Sequence, residues 1–209
     1  MSESHDPALP PHVEDLAQRV LREVFERDLK LATAESCTGG LLASLLTDVP
    51  GMSQVFERGF LTYTPEAKTE MLGVEPRMMA AEGEVSEAVA RAMAEGALER
   101  SNADLAIAIT GYTEGGPGRS AGLVHIACVR WSRPTAHRRL ELGSFGRASI
   151  RAAALEAALD LLSEQLSRRA GEARRREAAA EGSRSWAAAD PARARAPKAS
   201  PSAERAARR

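Results

Sequence analysis

A chain of 209 residues with 44% apolar content is long enough to enclose one sizeable core, and two cysteines, Cys37 and Cys128, are too few for a disulfide framework. Its net charge of −1 conceals an asymmetry: from Arg168 onward twelve Lys and Arg face five Asp and Glu, a balance of +7 that leaves −8 on the rest. No stretch approaches the roughly 18 to 20 apolar residues of a membrane span, no signal-peptide pattern opens the chain, and the four histidines, His5, His12, His125 and His137, lack ligand spacing; a cytoplasmic protein with no membrane segment, metal site or cofactor is expected.

Residues 1–11 are polar with three prolines and read as a flexible lead. From His12 to Asp28, Val13, Leu16, Val20, Leu21, Val24 and Phe25 recur at helical period with charges between them, predicting an amphipathic helix. Leu29 to Thr33 reads as a short strand and Gly39 to Thr47 as a small-residue helix that stops before the Pro50-Gly51 turn. The stretch between them, Thr33-Ala34-Glu35-Ser36-Cys37-Thr38-Gly39-Gly40, joins strand to helix through hydroxyls and glycines. The first amides of a helix are unpaired and partly positive, which suits an anion or a developing oxyanion, although a plain capped turn has the same composition.

Phe56 to Thr64 alternates, with Phe56, Arg58, Phe60 and Thr62 on one face and Glu57, Gly59, Leu61 and Tyr63 on the other, predicting a strand. Pro65 can open a short helix that runs to Leu72, and a second short helix is predicted over Val74 to Ala81. Ser86 to Arg100 follows as a third, with Ser86 as N-cap and Val89, Met93, Ala97 and Leu98 at helical spacing. Ala103 to Ile109 is a compact apolar run of the kind found in buried strands, ending at Thr110. The loop Gly111 to Gly122 holds five glycines and one proline; Leu123 to Arg130 and His137 to Ser144 then read as a hairpin. Arg147 to Leu166 is the last predicted helix, its stripe made by Ile150, Ala154, Leu155, Ala158, Leu159 and Leu162. Over residues 168–209 the Ala, Arg, Glu, Pro and Ser composition, with Trp186 as sole aromatic, predicts a disordered basic tail. Its arginines would be solvated; contact with nucleic acid or an acidic partner is the less favoured reading.

Strands alternating with helices, with glycine-rich breaks after Thr33 and Thr110, predict an α/β fold with helices on both sides of a mixed, partly parallel sheet. Ligands in such folds collect at the carboxyl ends of parallel strands, so both breaks are expected to face one pocket.

Four blocks, TAESCTGGLLASLLTDVPG, FERGFLTYTPEAKTEMLGV, GEVSEAVARAMAEGALERSNADLAIAITG and GRASIR, together resemble the CinA C-terminal domain family over roughly Val13 to Leu166. The resemblance implies a three-layer α/β/α sandwich over residues 12–167 and, as in the family's nicotinamide-nucleotide amidases, hydrolysis of nicotinamide mononucleotide to nicotinate mononucleotide and ammonia. It places the family's serine on Ser36, its tyrosine and lysine on Tyr63 and Lys68 of TYTPEAK, and its hydroxyl after the buried strand on Thr110. A serine attacks only when a neighbour takes its proton, and a desolvated lysine can do so, which makes Lys68 the expected base with Tyr63 or Thr110 orienting or relaying the proton. Amides near Thr38, Gly39 and Gly40 are expected to hold the oxyanion, Gly111 to lie beside the substrate, and Arg147 or Arg151 to hold its phosphate.

Without the resemblance, Lys68 would read as a surface lysine, Tyr63 as a strand-edge residue and Thr110 as a strand-end cap. Cys37 is read as a small buried residue rather than the nucleophile. Glu35 is read either as accepting backbone hydrogen bonds in its loop or as forming a surface salt bridge. Two departures from the family pattern stand out: Tyr112, Thr113 and Glu114 replace the smaller residues of an ITGIAGPGGG run, and Pro65 replaces the asparagine of TYSNEAK. A carboxylate at Glu114 disfavours a neighbouring phosphate and Tyr112 narrows the pocket, so a binding or regulatory protein without turnover is the alternative. The nucleotide-pyrophosphatase-like domain that precedes this module in full-length CinA has no counterpart in the sequence. The expected partners are a small-molecule nucleotide and further copies of the chain as a homo-oligomer, with neither a membrane nor nucleic acid among them.

Overall fold

The computed structural model describes residues 9–131 and 133–167, so the expected tail over 168–209 and most of the expected lead lie outside the described residues. Within them the order is α1 (Pro11–Glu26), β1 (Leu31–Glu35), α2 (Leu41–Thr47), β2 (Phe56–Leu61), α3 (Pro65–Leu72), α4 (Pro76–Glu82), α5 (Glu87–Glu99), β3 (Leu105–Gly111), β4 (Leu123–Arg130), β5 (Ala136–Glu141) and α6 (Arg147–Ser167). Prolines open α1, α3 and α4, where a missing N–H costs nothing, while Thr64 and Ser86 cap α3 and α5 through their hydroxyls. Leu9, in the expected lead, is buried in the core ahead of α1.

The five strands form one sheet in the order β2-β1-β3-β4-β5. β2, β1 and β3 run parallel, and β4 and β5 complete the sheet antiparallel. The β1-to-β2 and β2-to-β3 crossovers run in opposite directions across the sheet, which places their helices on opposite faces if each is right-handed. Accordingly α2 packs with α1 and α6 on one face, and α3 to α5 cover the other. The sheet is mixed and sandwiched between helices, as the sequence predicted.

The two faces differ in side-chain size. Leu31, Leu105, Ile107, Ile109, Val124 and Ile126 face α1 and α6, whereas Ala32, Ala34, Ala106, Ala108 and Ala127 face α5. Alanines let α5 settle close to the strands, and its own Ala90, Met93, Ala94 and Ala97 complete the contact. The approach is also close at the other side of α5, where a Cβ on Gly96 would overlap the Leu72 carbonyl oxygen at the end of α3.

The structure corrects the alternation expected of β2. Leu31 pairs with Phe56 but Ala32 pairs with Arg58, a bulge that leaves Glu57 as the extra residue. Phe56 therefore packs on the α6 side and Phe60 on the α5 side, rather than sharing a face. β2 also ends at Leu61, so Tyr63 stands beyond the strand, 61% exposed. Phe25, assigned to the apolar stripe of α1, is exposed, and Ala17 takes a buried place on that helix.

His125 and His137, far apart by spacing, meet across β4 and β5. Their rings stack with centroids 5.1 Å apart, His125 Nδ1 lies 3.0 Å from His137 Nε2, and His137 Nδ1 lies 3.3 Å from the Glu87 carboxylate at the start of α5. Both imidazoles are satisfied when neutral, with His125 donating to His137 and His137 to Glu87. Burial is the main cause that lowers both pKa values. Among the described residues no group of three or more His, Cys, Asp and Glu could hold a metal ion, and no helix is long and apolar enough to cross a membrane.

Two outcomes are expected of folded stability. Gly96→Ala gains up to about 1 kcal/mol of helix propensity but forces apart α3 and α5, a cost of roughly 1 to 3 kcal/mol; chemical denaturation should show net destabilisation. The histidine pair binds protons more readily unfolded, near 6.5, than folded. Its contribution is thus complete above that pH and declines as pH falls toward the folded values. Thermal melts at pH 5.5 against 7.5 should show a drop of a few degrees or so, reduced in His137→Gln.

Candidate active site

β1 lies between β2 and β3, and the chain leaves the carboxyl end of β1 toward β2 and that of β3 toward β4, so the two connections part there, at the point where α/β sheets collect ligands. A cavity of about 390 Å³, within the size range of small-molecule sites, opens at this point. Ser36 and Cys37 reach it from β1, Tyr63 and Lys68 from the β2–α3 segment, and Gly111 from the end of β3. The loop before α5 adds Glu84, and the first residue of α6 is Arg147, also on the wall.

The turn that carries Ser36 is held from several sides. The Glu35 carboxylate, 1% exposed, accepts the N–H groups of Leu42 at 3.0 Å and Ala43 at 2.8 Å, capping α2 from within the core. This resolves the two readings of Glu35 in favour of backbone capping. The Ser36 N–H donates to the Ile109 carbonyl at 3.0 Å, tying the turn to β3, and the Gly39 N–H donates to the Ser36 carbonyl at 3.1 Å. From α6, Arg151 Nε donates to the Cys37 carbonyl at 2.8 Å. Arg151 is therefore engaged in holding the turn, and is absent from the cavity wall where the sequence reading had offered it to a phosphate.

Thr38, Gly39, Gly40 and Thr110, expected around the substrate, are also off the wall. Gly39 and Gly40 both have positive φ, 67° and 89°, and bend the chain directly into α2. The helix amides that an anion would use at Leu42 and Ala43 are already taken by Glu35. The Thr110 hydroxyl donates to the Glu84 carbonyl at 3.2 Å, fastening the loop before α5 to the end of β3.

Among the described residues Lys68 is the largest fully buried side chain, 1% exposed. Burial lowers its pKa from the ordinary 10.5, partly opposed by the charge of Glu84. Burial acts the other way on Cys37, pushing its thiol up to about 11 and keeping it protonated. Ser36, Cys37 and Lys68 line the same cavity.

At the mouth of the cavity, Arg147 Nη2 lies 2.6 Å from Glu114 Oε1. Arg119 stands over the Tyr112 ring, 5.6 Å from its centroid. Glu84 and Arg119 were not singled out from sequence; both sit in segments that carry no catalytic pattern of their own, and only the fold brings them to the wall.

The chain matches the family model described as CinA C-terminal domain over residues 13–166. It is 47% identical over 139 residues to a CinA-like protein of Akkermansia muciniphila, covering 66% of this chain and 34% of that protein. A putative competence-damage inducible protein of Symbiobacterium thermophilum is 54% identical over 117 residues, with coverage of 54% and 28%. The chain thus spans about a third or less of these two relatives. Among solved structures, the competence/damage inducible protein CihA from Agrobacterium tumefaciens aligns with a TM-score of 0.72 at 41% identity, covering 75% of this chain and 96% of that one. A competence-damaged protein (CinA) superfamily protein from Escherichia coli gives 0.70 at 35% identity, covering 73% and 90%.

Replacing the buried cap tests how far the Ser36 turn depends on it. Glu35→Gln keeps one acceptor and turns an N–H group toward a second donor, so a loss of roughly 1 to 3 kcal/mol is expected, read as a lower melting temperature. Glu35→Ala should lose at least as much.

Proposed function

Because this chain belongs to the CinA C-terminal domain family, we propose that it is a nicotinamide-nucleotide amidase, a serine-dependent amidohydrolase converting nicotinamide mononucleotide to nicotinate mononucleotide and ammonia. The observation that carries this reading is the buried Lys68, its pKa lowered from the ordinary value by burial, on the same cavity wall as Ser36. Neutral Lys68 takes the Ser36 proton as Oγ attacks the carboxamide carbon. The amide of Cys37, the residue after the nucleophile and itself on the wall, is the donor assigned to the oxyanion. Collapse of the tetrahedral species breaks the C–N bond, and the proton held by Lys68 goes to the departing nitrogen, releasing ammonia. Lys68 then takes a proton from water, the hydroxide attacks the ester carbon, and as the bond to Ser36 Oγ breaks Lys68 returns that proton to the serine. Tyr63, which the resemblance makes a group orienting or relaying the proton, lines the same wall beyond the end of β2. A cytoplasmic setting is supported by Cys37 and Cys128 being free and buried.

A second reading, binding or regulation without turnover, is favoured by one observation: Glu114, absent from the family's glycine-rich run, pairs with the arginine nearest the mouth. A thermal shift with the mononucleotide and no ammonia would identify that protein.

Incubation with nicotinamide mononucleotide should release ammonia and nicotinate mononucleotide in equal amounts. Ser36→Ala and the permanently charged Lys68→Arg should each lose at least about 100-fold in kcat. For the natural chain kcat/KM should rise with pH as Lys68 loses its proton, with an apparent pKa below the ordinary lysine value of 10.5; no product, or full activity in Ser36→Ala, overturns the proposal.

A further inference from the structure

A guanidinium recognises a carboxylate and a phosphate through the same planar pair of donors. In this cavity one such guanidinium, that of Arg147, already carries an internal anion, Glu114, at 2.6 Å. We propose that Glu114 occupies the phosphate subsite and thereby sets the preference between phosphorylated and unphosphorylated substrates. This rests on the amidase reading for the identity of the substrate, but the subsite itself is a matter of the loop and the arginine.

The placement of Glu114 is built into the loop. The Tyr112 N–H donates to the Leu123 carbonyl and the Gly122 N–H to the Tyr112 carbonyl, pinning the loop at its root. Gly116 and Arg119 bridge across its tip, and Arg119 folds back over the Tyr112 ring. The carboxylate is thus carried to the mouth by a segment closed on itself. On the other side Arg147 is the first residue of α6, and Tyr63 lines the same wall. Both partners remain well exposed, 43% for Arg147 and 72% for Glu114, and exposed pairs are weak. A dianionic phosphate can therefore displace the carboxylate, with Arg119 on the same wall as a second cation, whereas an uncharged sugar terminus leaves the pair undisturbed. The deeper charges, Lys68 and Glu84, lie with the reacting centre and are not part of this exchange.

The test compares Glu114→Gln with the natural chain, using the mononucleotide and the corresponding nucleoside as substrates, and ribose 5-phosphate and ribose as calorimetric ligands. Glu114→Gln should lower KM for the mononucleotide and Kd for ribose 5-phosphate by about three- to tenfold, with no matching change for nucleoside or ribose. In an Arg147→Gln background the same substitution should change nothing. An unchanged Kd for ribose 5-phosphate in Glu114→Gln, or a gain that persists without Arg147, overturns the proposal. Because the calorimetric arm needs no turnover, a shifted Kd without ammonia release removes the amidase and leaves the subsite standing, while ammonia release with an unshifted Kd does the reverse.

Discussion

A carboxylate buried in the core governs the geometry of this molecule's reactive end. Glu35 is the last residue of β1 and the neighbour of Ser36, and its two oxygens face the first amides of α2. A charge in the interior is costly unless each lone pair finds a donor, and here the charge also meets the positive end of a helix. The arrangement serves both parties: the helix loses two unpaired N–H groups, and the carboxylate is satisfied without a cation. Between the carboxylate and the amides it holds, the chain has only six residues in which to turn, and Ser36 lies at the first of them. The serine is thereby fixed to the sheet on one side and to a helix on the other.

The rest of the sandwich extends this fixing. Large aliphatic side chains on one face of the sheet and alanines on the other give two cores of different depth. On the alanine side α5 lies close to the strands, and its leading loop reaches the cavity with Glu84 tied to Thr110. On the aliphatic side α6 brings Arg147 to the cavity mouth and Arg151 to the turn below it. The cavity is where these layers end, so its walls come from elements that are separately anchored.

Much of this was legible in the chain. Helix periodicity, proline and serine starts, and the compact Ala103 to Ile109 run located nearly every element to within a few residues, and the four sequence blocks identified the family. The bulge at Glu57 was not legible, because alternation cannot reveal an extra residue that sits opposite none. The meeting of His125 with His137 depended on the register of β4 and β5, which spacing does not give. At the site, Ser36, Lys68, Tyr63, Gly111 and Arg147 share one wall, but Thr38, Gly39 and Gly40 do not. Small residues after a strand signal amides near a helix start; they do not reveal that a carboxylate one residue before the serine has already claimed them.

The bulge has a consequence of another kind. β2 and β5 are the edges of the sheet, and an edge strand offers unpaired amides to any passing chain. On β2 the bulge kinks the row of amides, and the paired Glu57 and Arg58 side chains stand at the kink. On β5 the alternating positions carry Arg139 and Glu141, paired and exposed. Each border of the sheet is charged, and one of them is bent. A second chain seeking to extend the sheet would meet the bend and Arg58 at β2 and would have to strip the exposed Arg139 and Glu141 at β5, so the extra residue in β2 also works against edge-to-edge pairing.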